Sequence, residues 1–215
     1  MTISVLRTAD GWWVQTGDTA AKVQTSATTT AEIIADRAAV DAARGAETAV
    51  PVKDLTLLSP VTTPCRVIAQ MTNYASHVKD AGMDPKSIPL TFFRKSSASI
   101  SGPHDPIVKP AHVRLLDYEV EVGLVIGREI PVGTTVSEKN LPDLIAGLVI
   151  TNDVSARDVQ LPQTQFYEGK SYPSFTPTGP ALVLLEAGEL AKFGRLRLTL
   201  SVNGEQRQNA IVDGD

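Results

Sequence analysis

The chain is poor in the residues that build covalent or thiolate-based frameworks. It has 215 residues but a single cysteine, Cys65, so an intrachain disulfide is impossible and a zinc site made of several thiolates is excluded. Aromatic residues make up 5% of the chain and there are three histidines, which leaves few imidazoles for catalysis. The fold must therefore depend on an apolar core, and a chain of this length can bury one.

The chain also lacks blocks of like charge and long apolar runs. Its formal net charge is -4, which argues against nucleic acid as the main partner because phosphate binding needs a basic face. No apolar run approaches the length that spans a membrane, and the first residues carry no apolar core of signal-peptide length. We therefore predict a cytoplasmic protein with neither a membrane nor a nucleic-acid partner.

The length fits one substantial domain together with a small one. We predict that residues 1–60 form the small N-terminal domain, in which Trp12–Gln15 belongs to a hairpin. The alanine-rich stretch Thr30–Arg44 predicts a helix, with Thr30 as a candidate cap. Prolines then mark the transition to the main, catalytic domain, residues 61–215.

The main domain reads as a series of strands with short helices. Apolar or alternating segments predict strands at Val67–Ala69, Leu90–Arg94, Leu115–Ile126, Leu144–Thr151 and Leu196–Val202. Asn203-Gly204 predicts a tight hairpin turn after the last of these. Several strands with few long helices predict a β-rich α+β fold.

Two glutamates, Glu119 and Glu121, share one face of the clearest strand, since alternate side chains point the same way. Neighbouring carboxylates repel one another, and their pairing suggests a cation between them. A strand with a solvated acidic face is the common alternative. Gly123 and Val125 continue the glutamate face, which indicates that this face is partly enclosed, and buried carboxylates need a partner.

A third carboxylate, Asp153, follows the apolar strand that ends at Asn152. Ser155 and Asp158 have the spacing of a capping box for a short helix. A turn or cap role for Asp153 is the alternative to a site role. If Asp153 joins the two glutamates, three carboxylates suit a hard cation with open positions, Mg²⁺ or Mn²⁺ rather than zinc.

Two further segments supply candidate catalytic groups. Lys170 lies in a Gly- and Pro-rich loop and could neutralise an enolate or a substrate carboxylate, although a surface lysine is the alternative. His77 and Asp80 are three residues apart, so one helical turn would place them side by side. A carboxylate beside an imidazole orients it as a general base, whereas a lone surface histidine is the alternative.

Together these segments resemble the fumarylacetoacetate hydrolase family over about residues 60 to 212. Individually the motifs are weak, but the long string after Asn152 combined with the upstream Glu-x-Glu is specific. The matching motifs are Asn73-Tyr74-x-x-His77, Asp117-Tyr118-Glu119-x-Glu121, Asn152-Asp153-x-Ser155-Ala156-Arg157-Asp158-x-Gln160, Gly169-Lys170-Ser171 and Pro177-x-Gly179-Pro180.

The resemblance implies a mixed β-sandwich roll, usually a homodimer, in which Glu119, Glu121 and Asp153 hold Mg²⁺ or Mn²⁺. It places Lys170 near the metal and substrate, and His77 with Asp80 in a lid that closes on the substrate. Substrate-binding residues implied in the same way are Tyr74, Lys95, Arg157 and Gln160.

The resemblance implies an enzyme that acts on small 2-oxo or β-diketo acids. Our first hypothesis is a metal-dependent hydrolase of C–C bonds in acylpyruvates or fumarylacetoacetate. The alternatives are an isomerase or decarboxylase of 2-oxo diacids, or a family member that binds a 2-oxo acid without turnover. Two departures, Met71 before the Asn-Tyr pair and Pro173 after Gly-Lys-Ser-Tyr, are unusual for the family. A further C-terminal stretch with a Gly-Thr-Pro loop is expected beyond Asp215.

Overall fold

The computed structural model describes residues 2–71 and 90–212, and in them strands predominate over short helices. The predicted β-rich α+β class is confirmed. The strands are β1 (Ile3–Thr8), β2 (Gly11–Thr16), β3 (Thr19–Lys22), β4 (Val50–Pro51), β5 (Val67–Met71), β6 (Thr91–Lys95), β7 (Ile100–Ser101), β8 (Leu116–Asp117), β9 (Val120–Ile126), β10 (Ile145–Asn152), β11 (Ser155–Ala156), β12 (Thr176–Pro177), β13 (Leu182–Leu184), β14 (Arg197–Val202) and β15 (Glu205–Ile211). The α-helices are α1 (Thr30–Ala35), α2 (Arg37–Ala43) and α3 (Arg157–Gln160). Short 3₁₀ turns cover Val52–Asp54, Ser97–Ser99, Leu141–Asp143, Glu168–Lys170 and Glu189–Arg195.

One antiparallel, seven-stranded sheet runs through both halves of the chain, in the order β4-β3-β2-β1-β13-β10-β9. Val5 of β1 lies opposite Val14 of β2 on one side and Leu182 of β13 on the other. The N-terminal strands thus continue the same sheet as strands from the main domain. The predicted boundary between residues 60 and 61 stays a prediction, and the sheet crosses it.

The main apolar core lies against this sheet. Trp12, Ile33, Val40 and Leu182 are each at most 1% exposed, and full burial of such a side chain contributes about 1.5–3 kcal/mol. Other members of this core are Ile3, Val5, Val14, Val23, Ala43, Val149 and Leu184. Because Ile33 and Val40 belong to α1 and α2, the two helices are fixed by the face they bury.

The predicted helix Thr30–Arg44 is broken at Asp36, whose backbone leaves the helical region. Its carboxylate caps α2 by accepting from the Ala39 amide. An aspartate that binds the backbone locally competes with helix continuation. The predicted cap Thr30 is wrong by one residue, because Thr29 caps α1 in a capping box with Glu32.

The predicted strand Leu115–Ile126 is divided because it changes partner. Its first part, β8, pairs with β11, whereas β9 pairs with β10. The break at Tyr118 and Glu119 directs the following residues toward the end of β10. The predicted turn at Asn203-Gly204 is confirmed: both residues have positive φ (52° and 82°), as a type I′ hairpin turn requires.

Within residues 2–71 and 90–212, no helix combines the length and the apolar character needed to cross a membrane.

Candidate active site

Two of the predicted site carboxylates meet where β9 begins and β10 ends. The Asp153 amide donates to the Glu119 carbonyl at 2.8 Å, and the Glu119 amide donates to Asn152 Oδ1 at 3.0 Å. These bonds continue the β9–β10 pairing by one step past its last residues. These two bonds hold residues 119 and 153 next to each other. The bonded residues Glu119 and Asn152 are 33 positions apart in the chain.

Lys170 occupies the point on which both carboxylates converge. Its Nζ lies 2.6 Å from Glu119 Oε2 and 2.5 Å from Asp153 Oδ2, and the residue is only 3% exposed. A surface lysine was the alternative reading of this residue, and the structure excludes it. A buried ammonium between two carboxylates is a strong local electrostatic centre, because screening by water is weak there.

A second buried lysine, Lys95, binds Asp153 from the opposite side. Alternation along β6 turns Phe93 and Lys95 inward and leaves Arg94 outside. Lys95 Nζ donates to Asp153 Oδ1 and, at 2.8 Å, to the carbonyl of Phe175. The resemblance implied a substrate-binding role for Lys95, which stays a prediction; the contacts of its ammonium are with Asp153 and the Phe175 carbonyl.

Arg157 connects the carboxylates to the following helix. Its Nε donates to Asp117 Oδ2 at 2.8 Å, one Nη donates to Glu119 Oε1 at 2.5 Å, and the other donates to Gln160 Oε1 at 2.9 Å. This planar fork fixes the orientation of the Glu119 carboxylate. The substrate-binding role of Arg157 and Gln160 stays a prediction; the contacts seen are with each other and with Asp117 and Glu119.

Gly169 sets the position of Lys170 by allowing close approach of two backbones. A Cβ at residue 169 would lie 2.8 Å from the backbone nitrogen of Gln160. Only glycine permits this approach without movement of the Glu168–Lys170 turn or of α3. Glycine is therefore required before Lys170 for a steric reason: it lets the turn that carries Lys170 pack against the helix that carries Arg157.

The predicted capping box at Ser155 is wrong. The helix α3 begins after Ala156 without a side-chain cap, and the Ser155 hydroxyl donates to the Asp153 carbonyl at 3.0 Å. Asp158 instead accepts from the amides of Arg114 and Leu115, which lowers the pKa of its exposed carboxyl. Asp158 thus anchors the strand segment that leads to Asp117.

The charges of the cluster determine the protonation of Asp153. Burial alone would raise the pKa of Asp153, but the positive charges of Lys95 and Lys170 outweigh it and hold that pKa below its usual value. Burial lowers the pKa of Lys95, although Asp153 acts in the other direction. Asp153 is therefore an anion at neutral pH and an acceptor for both lysines.

The three predicted metal ligands are not equivalent in the structure. Glu119 and Asp153 converge on one cation, whereas Glu121 lies on β9 opposite Thr151. Among the described residues, no three His, Cys, Asp or Glu side chains are grouped so that they could hold a metal ion. The ion pairs with Lys95, Arg157 and Lys170 also give Glu119 and Asp153 partners that need no metal.

The donor chemistry nevertheless fits Mg²⁺ or Mn²⁺ in part. Mg²⁺ is usually bound in proteins through one or two carboxylates, with water and substrate filling its other positions. Glu119 and Asp153 offer two such carboxylates that already face a single positive charge. The complete ligand set of Glu119, Glu121 and Asp153 stays a prediction.

Three other predicted residues, Tyr74, His77 and Asp80, lie outside the described residues. Their roles as substrate contact, base and orienting carboxylate stay predictions. Sequence reasoning gave Asp117 only as part of the motif Asp117-Tyr118-Glu119 and Phe93 only, by resemblance, as part of a segment near the substrate entrance. It assigned no role in the site to either side chain. The available signals were the position of Asp117 two residues before Glu119 and the inward alternation that Phe93 shares with Lys95.

An aromatic wall closes one side of the cluster. Lys170 Nζ lies 5.2 Å from the centroid of the Phe93 ring, and Phe166 packs edge-on against Phe93 at 5.7 Å. An ammonium over a ring face is favourable, more so when water is excluded. The arrangement combines a buried ammonium, two carboxylates and an aromatic surface, which defines a charged cluster enclosed by apolar groups.

The chain belongs to the fumarylacetoacetate hydrolase family. The family model described as "Fumarylacetoacetate (FAA) hydrolase C-terminal" matches residues 66–213, which includes every residue of the cluster.

Two groups of relatives show the range within this family. The mitochondrial oxaloacetate tautomerase Fahd2a of Rattus norvegicus is 36% identical over 162 residues, covering 75% of this chain and 50% of that protein. Its human counterpart FAHD2A is 35% identical over 161 residues, covering 74% of this chain and 49% of that protein. The chain thus spans about half the length of the curated relatives it matches.

Solved structures share the fold. A probable 2-hydroxyhepta-2,4-diene-1,7-dioate isomerase from Mycobacterium abscessus has a TM-score of 0.79 and 32% identity, with 98% of this chain and 73% of that chain covered. A fumarylacetoacetate hydrolase from Exiguobacterium antarcticum has a TM-score of 0.75 and 30% identity, covering 98% of this chain and 76% of that chain. The predicted fold type is therefore confirmed.

Proposed function

We propose that this chain is the catalytic part of a divalent-metal-dependent enzyme that forms and stabilises the enolate of a small 2-oxo acid. The observation that carries the proposal is the convergence of Glu119 and Asp153 on the buried Lys170. Such a cluster is costly to bury, and groups whose pKa is shifted by burial and by charged partners, as those of Asp153 and Lys95 are, concentrate at functional sites. Tautomerisation, isomerisation and C–C cleavage of 2-oxo acids all pass through negative charge on an enolate oxygen.

Lys170 has the position needed to stabilise that charge. Its ammonium is held by Glu119 and Asp153, so it is already oriented and desolvated before the substrate arrives. Preorganised donors of this kind act where charge develops and cost no reorganisation during the reaction. Arg157 and Lys95 keep the two carboxylates in place while Lys170 donates to the substrate.

The metal would be held by Glu119, Asp153 and, by resemblance, Glu121. When bound, Mg²⁺ or Mn²⁺ supplies Lewis-acid polarisation of the 2-oxo group. Lys95, Arg157 and Lys170 already neutralise the negative charge of these carboxylates. A bound divalent cation would therefore give the cluster a net positive charge. Such a cluster favours an anionic ligand, which is consistent with a carboxylic acid as substrate.

Enolisation at the 2-oxo acid is the reaction that the described geometry supports best. Similarity to the oxaloacetate tautomerase of Rattus norvegicus and to the isomerase of Mycobacterium abscessus favours it. Enolisation needs a base that takes the proton from C3, and hydrolysis of a C–C bond, our first hypothesis from the sequence, needs a base that activates water. We propose His77 with Asp80 for both roles. Similarity to the Exiguobacterium antarcticum hydrolase keeps hydrolysis as the second candidate.

The test follows enol–keto conversion of oxaloacetate and loss of acylpyruvate by absorbance, with Mg²⁺ and with EDTA. We expect Mg²⁺-dependent turnover that falls strongly in Glu119→Gln and is unchanged in Glu129→Gln, an exposed control. Products separate the two reactions, since hydrolysis of an acylpyruvate releases pyruvate and enolisation does not. Turnover indifferent to both EDTA and Glu119→Gln would contradict the metal-dependent mechanism.

A homodimer is part of the proposal. The outward face of β9 and β10 exposes Leu124, Ile126 and Ile150 at 46%, 52% and 53%, whereas Val149 on the opposite face of β10 is buried. Adjacent exposed apolar side chains are typical of a contact surface. Light scattering coupled to size exclusion should give twice the chain mass, and Leu124→Glu should lower it; a monomeric mass for the unmodified protein excludes the dimer.

A further inference from the structure

The two oxygens of the Asp153 carboxylate have different kinds of partner. Oδ1 accepts from Lys95, whose ammonium also donates to the Phe175 carbonyl at 2.8 Å. Oδ2 accepts from Lys170 at 2.5 Å, and that ammonium is shared with Glu119 Oε2. Lys95 is thus fixed by a backbone group outside the carboxylate pair, whereas Lys170 lies between the two carboxylates.

The burial of Lys95 keeps it on Oδ1. Its side chain is 2% exposed, and it projects from the buried side of β6 together with Phe93. A buried ammonium that loses an acceptor leaves an uncompensated charge away from water, which is strongly unfavourable. We therefore expect Lys95 to remain bound to Asp153 and Phe175 when a ligand reaches the other side of the carboxylate.

The Glu119 carboxylate is divided in the same way. Its Oε1 accepts from Arg157 at 2.5 Å, and the same guanidinium donates to Asp117 at 2.8 Å. Its Oε2 lies 2.6 Å from Lys170 Nζ. One oxygen of each carboxylate, Glu119 Oε2 and Asp153 Oδ2, therefore faces the same point, while the second oxygen of each is held by an anchored cation.

This division limits how a divalent cation can be bound. Mg²⁺ demands near-octahedral geometry and is usually held by one or two carboxylates together with water. Ca²⁺ is larger, takes about six to eight oxygens and often uses both oxygens of a carboxylate. A carboxylate with one oxygen reserved for a buried lysine suits Mg²⁺ better than Ca²⁺.

We infer that Lys95 determines metal selectivity: by holding Asp153 Oδ1 it restricts this carboxylate to one ligand oxygen and favours Mg²⁺ over Ca²⁺. The inference rests on the proposed function, which takes Asp153 as a metal ligand. Lys95 acts through Asp153 and is a positioning residue, in contrast to the substrate-binding role that the resemblance implies. Groups that orient a metal ligand typically change metal affinity about 10–100-fold.

The first test compares the Kd values of Mg²⁺ and Ca²⁺ in the unmodified protein and in Lys95→Met, measured by calorimetry with the chloride salts and without substrate. Removal of a nearby positive charge should tighten the binding of both ions. Because Oδ1 also becomes available, Ca²⁺ should gain roughly tenfold more than Mg²⁺. Lys170→Met is the matched control, since it removes the same charge from the same aspartate at Oδ2. It should tighten the binding of both ions without changing the ratio of their Kd values.

An infrared measurement on the unmodified protein decides the question even if Lys95→Met does not fold. With the side-chain carboxyl of aspartate labelled with ¹³C, the splitting of the carboxylate bands on ion binding distinguishes coordination through one oxygen from coordination through two. We expect coordination through one oxygen with Mg²⁺ and also with Ca²⁺. Coordination through both oxygens of an aspartate with either ion overturns the inference.

The outcomes of calorimetry separate this inference from the proposed function. An unchanged ratio of Kd values in Lys95→Met, or a change of equal size in Lys170→Met, overturns the selectivity role of Lys95 and leaves the proposed function in place. Binding of neither ion by the unmodified protein overturns the metal-dependent function together with the inference.

Discussion

Two of the buried regions in the described part of the chain are stabilised in different ways. The apolar core around Trp12, Ile33 and Leu182 gains free energy from each side chain it removes from water. The cluster around Glu119, Asp153 and Lys170 loses solvation for every charge it buries and recovers it only through paired contacts. A protein that needed stability alone would gain more from well-packed apolar side chains at these positions.

The two regions differ in how many partners each group has. Glu119 and Asp153 each have two basic partners: Glu119 contacts Arg157 and Lys170, and Asp153 contacts Lys95 and Lys170. Such redundancy keeps the charges compensated when one group shifts toward a ligand. In the apolar core, by contrast, no group is required to move. Substitutions should therefore separate into those that reduce stability alone and those that reduce activity.

The largest effect is expected for Lys170→Met, which removes the ammonium but keeps the buried volume. Loss of one preorganised donor costs about 10²–10³ in rate, and steady-state turnover of oxaloacetate measures it. The two carboxylates would then face each other without their shared cation, so thermal unfolding should occur at lower temperature and Mg²⁺ should restore part of the loss. Lys192→Met, at an exposed lysine, is the matched control; unchanged turnover in Lys170→Met would remove the lysine from the mechanism.

Trp12→Ala should lower the free energy of unfolding and leave kcat unchanged. Trp12 is 1% exposed and its indole donates to the Ala27 carbonyl at 2.9 Å. Truncation leaves a cavity and should cost about 3–5 kcal/mol in the free energy of unfolding, measured by urea denaturation. The fraction that remains folded should keep its kcat, because no member of the cluster contacts Trp12. A loss of kcat without a loss of stability would show that the two regions are coupled.

Gly169→Ala should reduce both the stability and the activity. The added Cβ would meet the backbone of Gln160 at 2.8 Å, so the Glu168–Lys170 turn must shift. We expect a destabilisation of about 1–3 kcal/mol, as for other overpacked sites, together with a fall in kcat because Lys170 moves with the turn. Gly45→Ala, where a Cβ meets nothing within 4 Å, is the control. Full activity in Gly169→Ala would show that the position of Lys170 tolerates such a shift.

Much of the fold could be predicted because its signals are local. The turn at Asn203-Gly204 and the strand ending at Asn152 depend on backbone preference and alternation, which neighbouring residues determine. The prediction of one continuous helix over residues 30–44 was wrong at Asp36. Whether an aspartate caps a new helix or continues the old one depends on the path of the chain around it. The seven-stranded sheet was beyond sequence reasoning, since β1 finds its neighbour β13 far along the chain.

The site could be predicted by residue type but not by contact. Glu119, Asp153 and Lys170 were identified from spacing and resemblance, and the structure brings these three together. That Lys95 binds Asp153, and that Arg157 binds Asp117 and Glu119, depends on how four separate segments pack. Ion pairs between distant segments leave no periodic signal in a single sequence.

The smallest effect concerns the capping box of α1, far from the cluster. Glu32 accepts from the Thr28 and Thr29 amides at 2.8 and 2.9 Å, and these bonds lower its pKa from 4.5 to about 2. Because the folded state holds this proton less tightly than the unfolded state, the carboxylate stabilises the fold fully above pH 4.5 and loses that effect as the pH falls toward about 2.

Glu32→Gln imitates the protonated form, so the difference in Tm between it and the unmodified protein should be largest near neutral pH. The difference should shrink as calorimetric scans are taken at successively lower pH, and Glu47→Gln, at another exposed glutamate, should show no such trend. Since the group is exposed, the effect should be small beside that of Trp12→Ala. A difference in Tm independent of pH would mean that the side chain acts through packing rather than through its charge.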